Sequence, residues 1–189
     1  MSYKIEFVKA ALRRPFDVST VFPTSRSLAE TMLSFADIEN AKSVVELGSG
    51  TGAITKYLAP RLLDGQSFVG VELDSKMVEF LHKEWPSLRF ESGPAESLPT
   101  WVEPGSVDVI VSSLPWTIFS EETQSRTIRA IVESLRPGGM FLTYVCANAY
   151  LYPQAGSFLR LLRTSFADLK RSELEWRNIP PAFVYRGVK

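Results

Sequence analysis

The stretch richest in chemistry is Val44-Val45-Glu46-Leu47-Gly48-Ser49-Gly50-Thr51-Gly52. Glycines at alternate positions leave no side chain between backbone and ligand, and they permit positive φ where the chain turns. A nucleoside-like ligand can therefore lie directly on main-chain N–H groups, with Ser49 between two bare positions. Glu46 precedes the turn, where it can hold a positively charged group. Further along, the apolar run Ser67-Phe68-Val69-Gly70-Val71 ends at Glu72 and Leu73. An acid at the tip of the second strand of a βαβ unit accepts hydrogen bonds from ribose hydroxyls.

Dinucleotide-binding loops read G-x-G-x-x-G and aim a helix N-terminus at a pyrophosphate. Here the spacing is G-x-G-x-G, an acid precedes it, and no lysine follows as in a P-loop. At these residues the chain resembles the class I S-adenosylmethionine-dependent methyltransferases. The resemblance implies S-adenosyl-L-methionine as cofactor, held by Glu46, Gly48, Ser49, Gly50, Gly52, Glu72 and Leu73, with Ser112 nearby. Many members carry G-D-A after the third strand, with the Asp on the adenine amino group. This chain has Gly93-Pro94-Ala95-Glu96 there. Pro94 cannot make that contact, Ala95 can still offer its N–H, and Glu96 is the available substitute. A purely structural glycine turn and a non-catalytic cofactor-binding module are the alternatives.

Ligands of open α/β sheets bind beyond the carboxyl ends of the strands, where strand order reverses. The fourth strand leads there into Ser112-Ser113-Leu114-Pro115-Trp116. This segment resembles the [Asn/Asp]-x-Pro-[aromatic] element of amino-group methyltransferases, including the rRNA adenine dimethylases. Ser113 replaces the acceptor suited to a planar amine, which disfavours a nucleic-acid substrate. Read with Phe7 to Arg26, Leu135-Arg136-Pro137-Gly138-Gly139 and Arg177-Asn178-Ile179-Pro180-Pro181-Ala182, the chain is similar to bacterial phospholipid N-methyltransferases. That resemblance implies a phosphatidylethanolamine-type amine as acceptor, other amines being the alternative. Catalytic roles are expected for Ser113 and Trp116 in this segment and for Tyr144 near the end of the fifth strand, and no metal is expected, because no clustered Asp or Asn follows the fourth strand. Aromatic rings facing an alkylated ammonium stabilise it by ~0.5–2 kcal/mol each.

The elements that must position these residues alternate helix and strand. Helices are expected over Lys4 to Arg13, Ser27 to Phe35, Ala53 to Leu63, Ser75 to Trp85, Glu121 to Leu135 and Ala155 to Phe166. Strands are expected over Ser43 to Leu47, Ser67 to Glu72, Leu88 to Glu91, Val107 to Ser112 and Met140 to Cys146. Two final extended segments, Lys170 to Arg177 and Ala182 to Val188, form a closing hairpin. The expectation is an α/β fold: a Rossmann-like, doubly wound, seven-stranded sheet with a C-terminal antiparallel hairpin, in three α/β/α layers. One domain spans 1–189, with a helical cap over 1–40 and the core over 41–189.

The 189 residues are 45% hydrophobic and 22% charged, as in a globular domain. The single Cys146 excludes a disulfide framework and favours a cytoplasmic setting. No signal peptide or membrane-spanning run is expected. Net charge is zero, but Met1 to Arg26 carries +3 and Phe158 to Lys189 carries +4 around an acidic middle. Lys4, Lys9, Arg13 and Arg14 flank an apolar stripe of Ile5, Val8 and Leu12. Such a helix either packs on the sheet or makes peripheral contact with the inner membrane surface.

Overall fold

Valine and isoleucine dominate the central strands, and unbroken runs of them form strands buried on both faces. The computed structural model describes residues 24–189, and the helix expected over Lys4 to Arg13 lies outside them. Seven strands form one sheet: β1 (Ser43–Leu47), β2 (Ser67–Glu72), β3 (Arg89–Ser92), β4 (Val107–Ser112), β5 (Leu135–Cys146), β6 (Asp168–Arg171) and β7 (Ala182–Val188). Their order is β3-β2-β1-β4-β5-β7-β6. The first five run parallel, and β7 is antiparallel to both β5 and β6. The expected fold class is therefore the observed one. Strand order reverses between β1 and β4, which places the crevice above Leu47 and Ser112.

Among the described residues five α-helices flank the sheet: α1 (Arg26–Leu33), α2 (Thr55–Leu58), α3 (Ser75–Glu84), α4 (Glu121–Ser134) and α5 (Pro153–Ser165). α1 packs on β5, β7 and α2, while α3 packs on β2 and β3. On the other face, α4 packs on β5, α5 and the 3₁₀ turn Ala95–Thr100. Side-chain caps set the helix starts. Ser25 accepts from the Leu28 N–H, Asp74 from Lys76 and Ser120 from Thr123.

Three elements differ from expectation. The helix expected over Ala53 to Leu63 is short, passing into a 3₁₀ turn at Ala59–Arg61. Pro60 has no N–H with which to continue the α-helical ladder. β5 begins at Leu135 rather than Met140. Pro137-Gly138-Gly139 ends the helix as expected, but it does so inside a strand with an irregular register opposite Val107 and Val109. There Gly138 donates to the Lys189 carbonyl, and Lys189 donates back to Gly139. β6 covers only Asp168–Arg171, after which the chain bows out until Glu175 bridges Ala182.

At the amino ends of the central strands, Asp108 ties three segments together. It accepts from the Lys42 and Ser43 N–H groups at 2.8 and 2.9 Å and pairs with Arg136. Burial alone would raise its pKa. The Arg136 guanidinium and the two N–H groups outweigh that and leave it below the usual value. Asp108 thus holds the end of the sheet remote from the crevice.

Candidate functional site

The loop after β1 turns sharply because its glycines take conformations closed to other residues. Gly48, Gly50 and Gly52 have φ of 77°, 53° and 77°. Gly48 and Ser49 both direct their N–H groups to the Val71 carbonyl of β2, at 2.8 and 3.4 Å. The Gly50 N–H donates to Glu72 Oε2 at 2.8 Å, and the Asp74 N–H donates to Oε1 at 3.0 Å. The Glu72 carboxylate is thus fixed between the two loops, each oxygen keeping a lone pair. A Cβ added at Gly50 would meet open space, its nearest neighbour being the Gly48 carbonyl at 3.9 Å. At Gly52 it would come within 2.3 Å of the Trp85 indole. Gly50 is bare toward a ligand, while Gly52 is bare toward the end of α3.

Glu46 is fully buried in β1. Thr55 Oγ1, on the first turn of α2, donates to Glu46 Oε2 at 2.6 Å. Glu46 Oε1 and the buried Ser49 hydroxyl have no hydrogen-bond partner among the described residues. Burial pushes the Glu46 carboxyl up to about 7, against the pull of Thr55, and the nearby Glu72 charge adds to the rise. Neither carboxyl is ion-paired among the described residues. Such a place repels phosphate and welcomes a cation, whose approach would restore Glu46 to its charged form. Orphaned Oε1, the Ser49 hydroxyl and the bare Gly50 backbone fit the ammonium end of S-adenosyl-L-methionine, and the fixed Glu72 fits its ribose.

Leu73 is half-buried beside Glu72, and Ala95 opens the 3₁₀ turn after β3, where an N–H has no partner within the helix. Glu96 lies in that turn with its carboxylate 3.2 Å from Arg126 of α4, which also holds Glu122. The ion pair ties the turn to α4. Arg126 belongs to none of the sequence motifs, and only the packing of α4 on the turn brings it to Glu96.

At the tip of β4, Ser112 is buried and its hydroxyl accepts from the Leu114 N–H at 3.3 Å. Ser113 lies over the glycine loop: its N–H donates to the Leu47 carbonyl, and its hydroxyl to the Gly48 carbonyl at 2.6 Å. Ser113 therefore joins the two sides of the crevice. Trp116, expected to face the acceptor, is only 2% exposed. Its indole stacks on Phe158 at 4.4 Å, meets Phe119 and Phe141 edge-on, and donates to Thr143 Oγ1 at 2.9 Å. The cation-facing role is corrected to a core role. A ring of that size, stacked on one face and hydrogen-bonded at its nitrogen, secures the turn from below.

Tyr144 lies on the opposite face of β5 from Thr143, by strand alternation. It is partly buried, with Thr24 near its hydroxyl. Burial raises its pKa, with Thr24 pulling the other way. Tyr144 is therefore protonated at neutral pH.

Two segments from opposite ends of the chain also meet here. Asn178 is buried, and its Oδ1 accepts from the Ser25 N–H at 3.0 Å while its Nδ2 donates to the Pro180 carbonyl. Glu175 accepts from Thr31 Oγ1 at 3.3 Å. The Thr-Ser-Arg and Arg-Asn-Ile-Pro-Pro motifs are thus two halves of one joint beside the crevice. Among the described residues no group of three or more His, Cys, Asp or Glu is placed to hold a metal. None of their helices is long and apolar enough to cross a membrane.

Comparison with known proteins agrees with this geometry. Residues 44–139 match the family model described as a methyltransferase domain. The chain is 31% identical to an ornithine lipid N-methyltransferase of Singulisphaera acidiphila, over 91% of this chain and 90% of that one. It is 29% identical to the human thiol S-methyltransferase TMT1A, over 87% and 78% of the two. Among solved structures, the O-methyltransferase TomG of Streptomyces achromogenes, in complex with its cofactor, superposes with a TM-score of 0.69. That match has 17% identity and covers 100% of this chain and 91% of that one.

Proposed function

Because this chain belongs to the methyltransferase domain family, as an S-adenosylmethionine-dependent enzyme, we propose that it methylates the amine of a lipid head group. The acceptor is of the phosphatidylethanolamine or amino-acid lipid kind. The observation that carries this reading is the near full-length relationship to an ornithine lipid N-methyltransferase. The β4 turn supports it, since the Ser113 hydroxyl is committed to the Gly48 carbonyl. The Ser113 oxygen keeps its lone pairs but lacks the planar carboxamide or carboxylate that pairs in plane with the amine of a nucleic-acid base. An aliphatic amine needs no such in-plane acceptor.

When bound, the cofactor supplies a methyl group already activated on a sulfonium, so alignment is the main demand on the protein. In this reading Glu46 Oε1 and the Ser49 hydroxyl take the ammonium, and the bare Gly50 backbone lets the ligand approach closely. Glu72 takes the ribose hydroxyls, while Leu73 and Ala95 flank the adenine. Ser112 and Ser113 shape the β4 turn over which the acceptor amine lies. Tyr144 donates a hydrogen bond beside it from the α1 face. Incubation with methyl-labelled cofactor and vesicles of defined lipids tests the proposal. Label is expected in phosphatidylethanolamine or ornithine lipid; label in RNA or protein but never in lipid overturns it.

A further inference from the structure

Apolar side chains left in water are normally scattered singly, as Leu63 and Phe80 are here. The other exposed ones are Tyr150, Leu151, Tyr152, Trp176 and Ile179, and they come from two loops that touch. Leu151, Trp176 and Ile179 are 86%, 74% and 64% exposed. The first loop follows β5 and the second precedes β7. They are joined by the Cys146–Ala182 pairing and by the Ala147 N–H donating to the Pro181 carbonyl at 2.7 Å. Tyr150 also meets the Phe183 ring edge-on and hydrogen-bonds the Tyr185 hydroxyl.

This rim lies on the edge of the sheet where the crevice opens. Ser112, Thr143, Tyr185 and Arg171 are successive register partners across β4, β5, β7 and β6. Arg171 is therefore three strand spacings from the tip of β4, about 14 Å. Its exposed guanidinium lies over the Phe183 ring at 4.4 Å, near the Tyr185 and Tyr150 hydroxyls. Arg177 is exposed between Trp176 and Ile179. Of the nearby acids, Asp168 is paired with Arg186, and Glu175 is held by Thr31 and the Arg177 N–H. Glu173 stays exposed, and with the exposed Lys170 the edge holds four cations, Lys170, Arg171, Arg177 and Arg186, to three acids. Tryptophan and tyrosine beside aliphatic tips, flanked by arginine, make up the composition that settles at a membrane–water interface.

We propose that this rim is a bilayer-docking surface. Leu151, Trp176 and Ile179 enter the head-group boundary of an anionic membrane, while Arg171 and Arg177 meet lipid phosphates. The inference deepens the lipid reading and rests on it for the identity of the acceptor. Docked in this way, the crevice faces the layer in which a head-group amine lies. The substrate need not leave the bilayer.

The test uses the full chain with vesicles of phosphatidylethanolamine and phosphatidylglycerol. The Leu151→Ser, Trp176→Ser, Ile179→Ser triple variant is expected to co-sediment with them roughly tenfold less well or worse. Its cofactor affinity and its methylation of a monomeric short-chain phosphatidylethanolamine should match the wild type. In a milder variant, Trp176→Phe, the fluorescence quenching that brominated acyl chains cause in the wild type should disappear. Unchanged vesicle binding in the triple variant, or quenching that survives in Trp176→Phe, overturns the proposal. So does binding that is lost instead in Val8→Ser, Leu12→Ser, because docking then belongs to the N-terminal segment. A wild-type chain that methylates the short-chain lipid yet binds no vesicles sinks the docking surface alone. Vesicle binding with no lipid ever methylated sinks the lipid reading alone.

Discussion

Glu46→Gln isolates the electrostatic logic of the site, because glutamine copies the protonated carboxyl in shape and stays neutral at every pH. Burial raises the Glu46 pKa from 4.5 to about 7. Between those values the folded chain holds a proton that the unfolded chain has released, so stability falls as pH rises through that window. Below it, both states are protonated and the full contribution is present; above it, both are ionised and the contribution is lost. At 1.36 kcal/mol per pKa unit the loss is about 3 kcal/mol. Urea unfolding of the cofactor-free protein from pH 5 to pH 8 should show that decline in the wild type and not in Glu46→Gln. The glutamine keeps an acceptor for Thr55, so the variant should be the more stable protein at pH 8.

Cofactor binding should respond in the opposite sense. A cation at Oε1 favours the ionised carboxyl, so binding to the wild type near pH 6, where the ligand is already an ammonium, should release close to one proton. Calorimetry in buffers of different ionisation enthalpy measures this number. Glu46→Gln should release none and bind roughly tenfold more weakly or worse, having exchanged a charge-assisted hydrogen bond for a neutral one. Parallel stability curves for the two proteins, or proton release undiminished in the variant, would refute the reasoning.

Gly50→Ala should cost about 1–2 kcal/mol, because alanine is strained at φ 53°; calorimetry should also find cofactor affinity reduced. Trp116→Ala removes a stacked core ring and should lower unfolding stability by about 3–5 kcal/mol. A folded, equally stable Trp116→Ala protein with selectively lost turnover would restore the acceptor-facing role. Asn178→Ala strands the Ser25 N–H and should cost about 1–3 kcal/mol, measured by urea unfolding. Burial pushes the Cys146 thiol up to about 11. It should therefore resist alkylation at pH 8 while the protein is folded and react on unfolding.

Much of this protein is written locally. Gly48-Ser49-Gly50-Thr51-Gly52 specifies its turn because positive φ is a property of the residue itself, and the apolar runs specify strands because their period and branching admit little else. Glu72 falls at a strand tip by counting alone. The parallel order and the crevice were legible on those grounds, and the resemblance to class I methyltransferases supplied the cofactor class. What the side chains do across the crevice was settled by packing between residues distant in sequence. Trp116 reads as a pocket aromatic beside Pro115, yet Phe158 arrives from α5 to stack on it. Glu96 reads as a spare acid until Arg126 comes up from α4. Thr55 gives no sign of its bond to Glu46 until β1 and α2 are set side by side, and that bond leaves only Oε1 free. Asn178 and Ser25 stand 153 positions apart and form one joint. The exposed rim, too, is visible only once β5 and β7 pair and bring two separate loops to one edge. Desolvation and hydrogen-bond partnership depend on what lies on every side of a group, and only the folded chain supplies that.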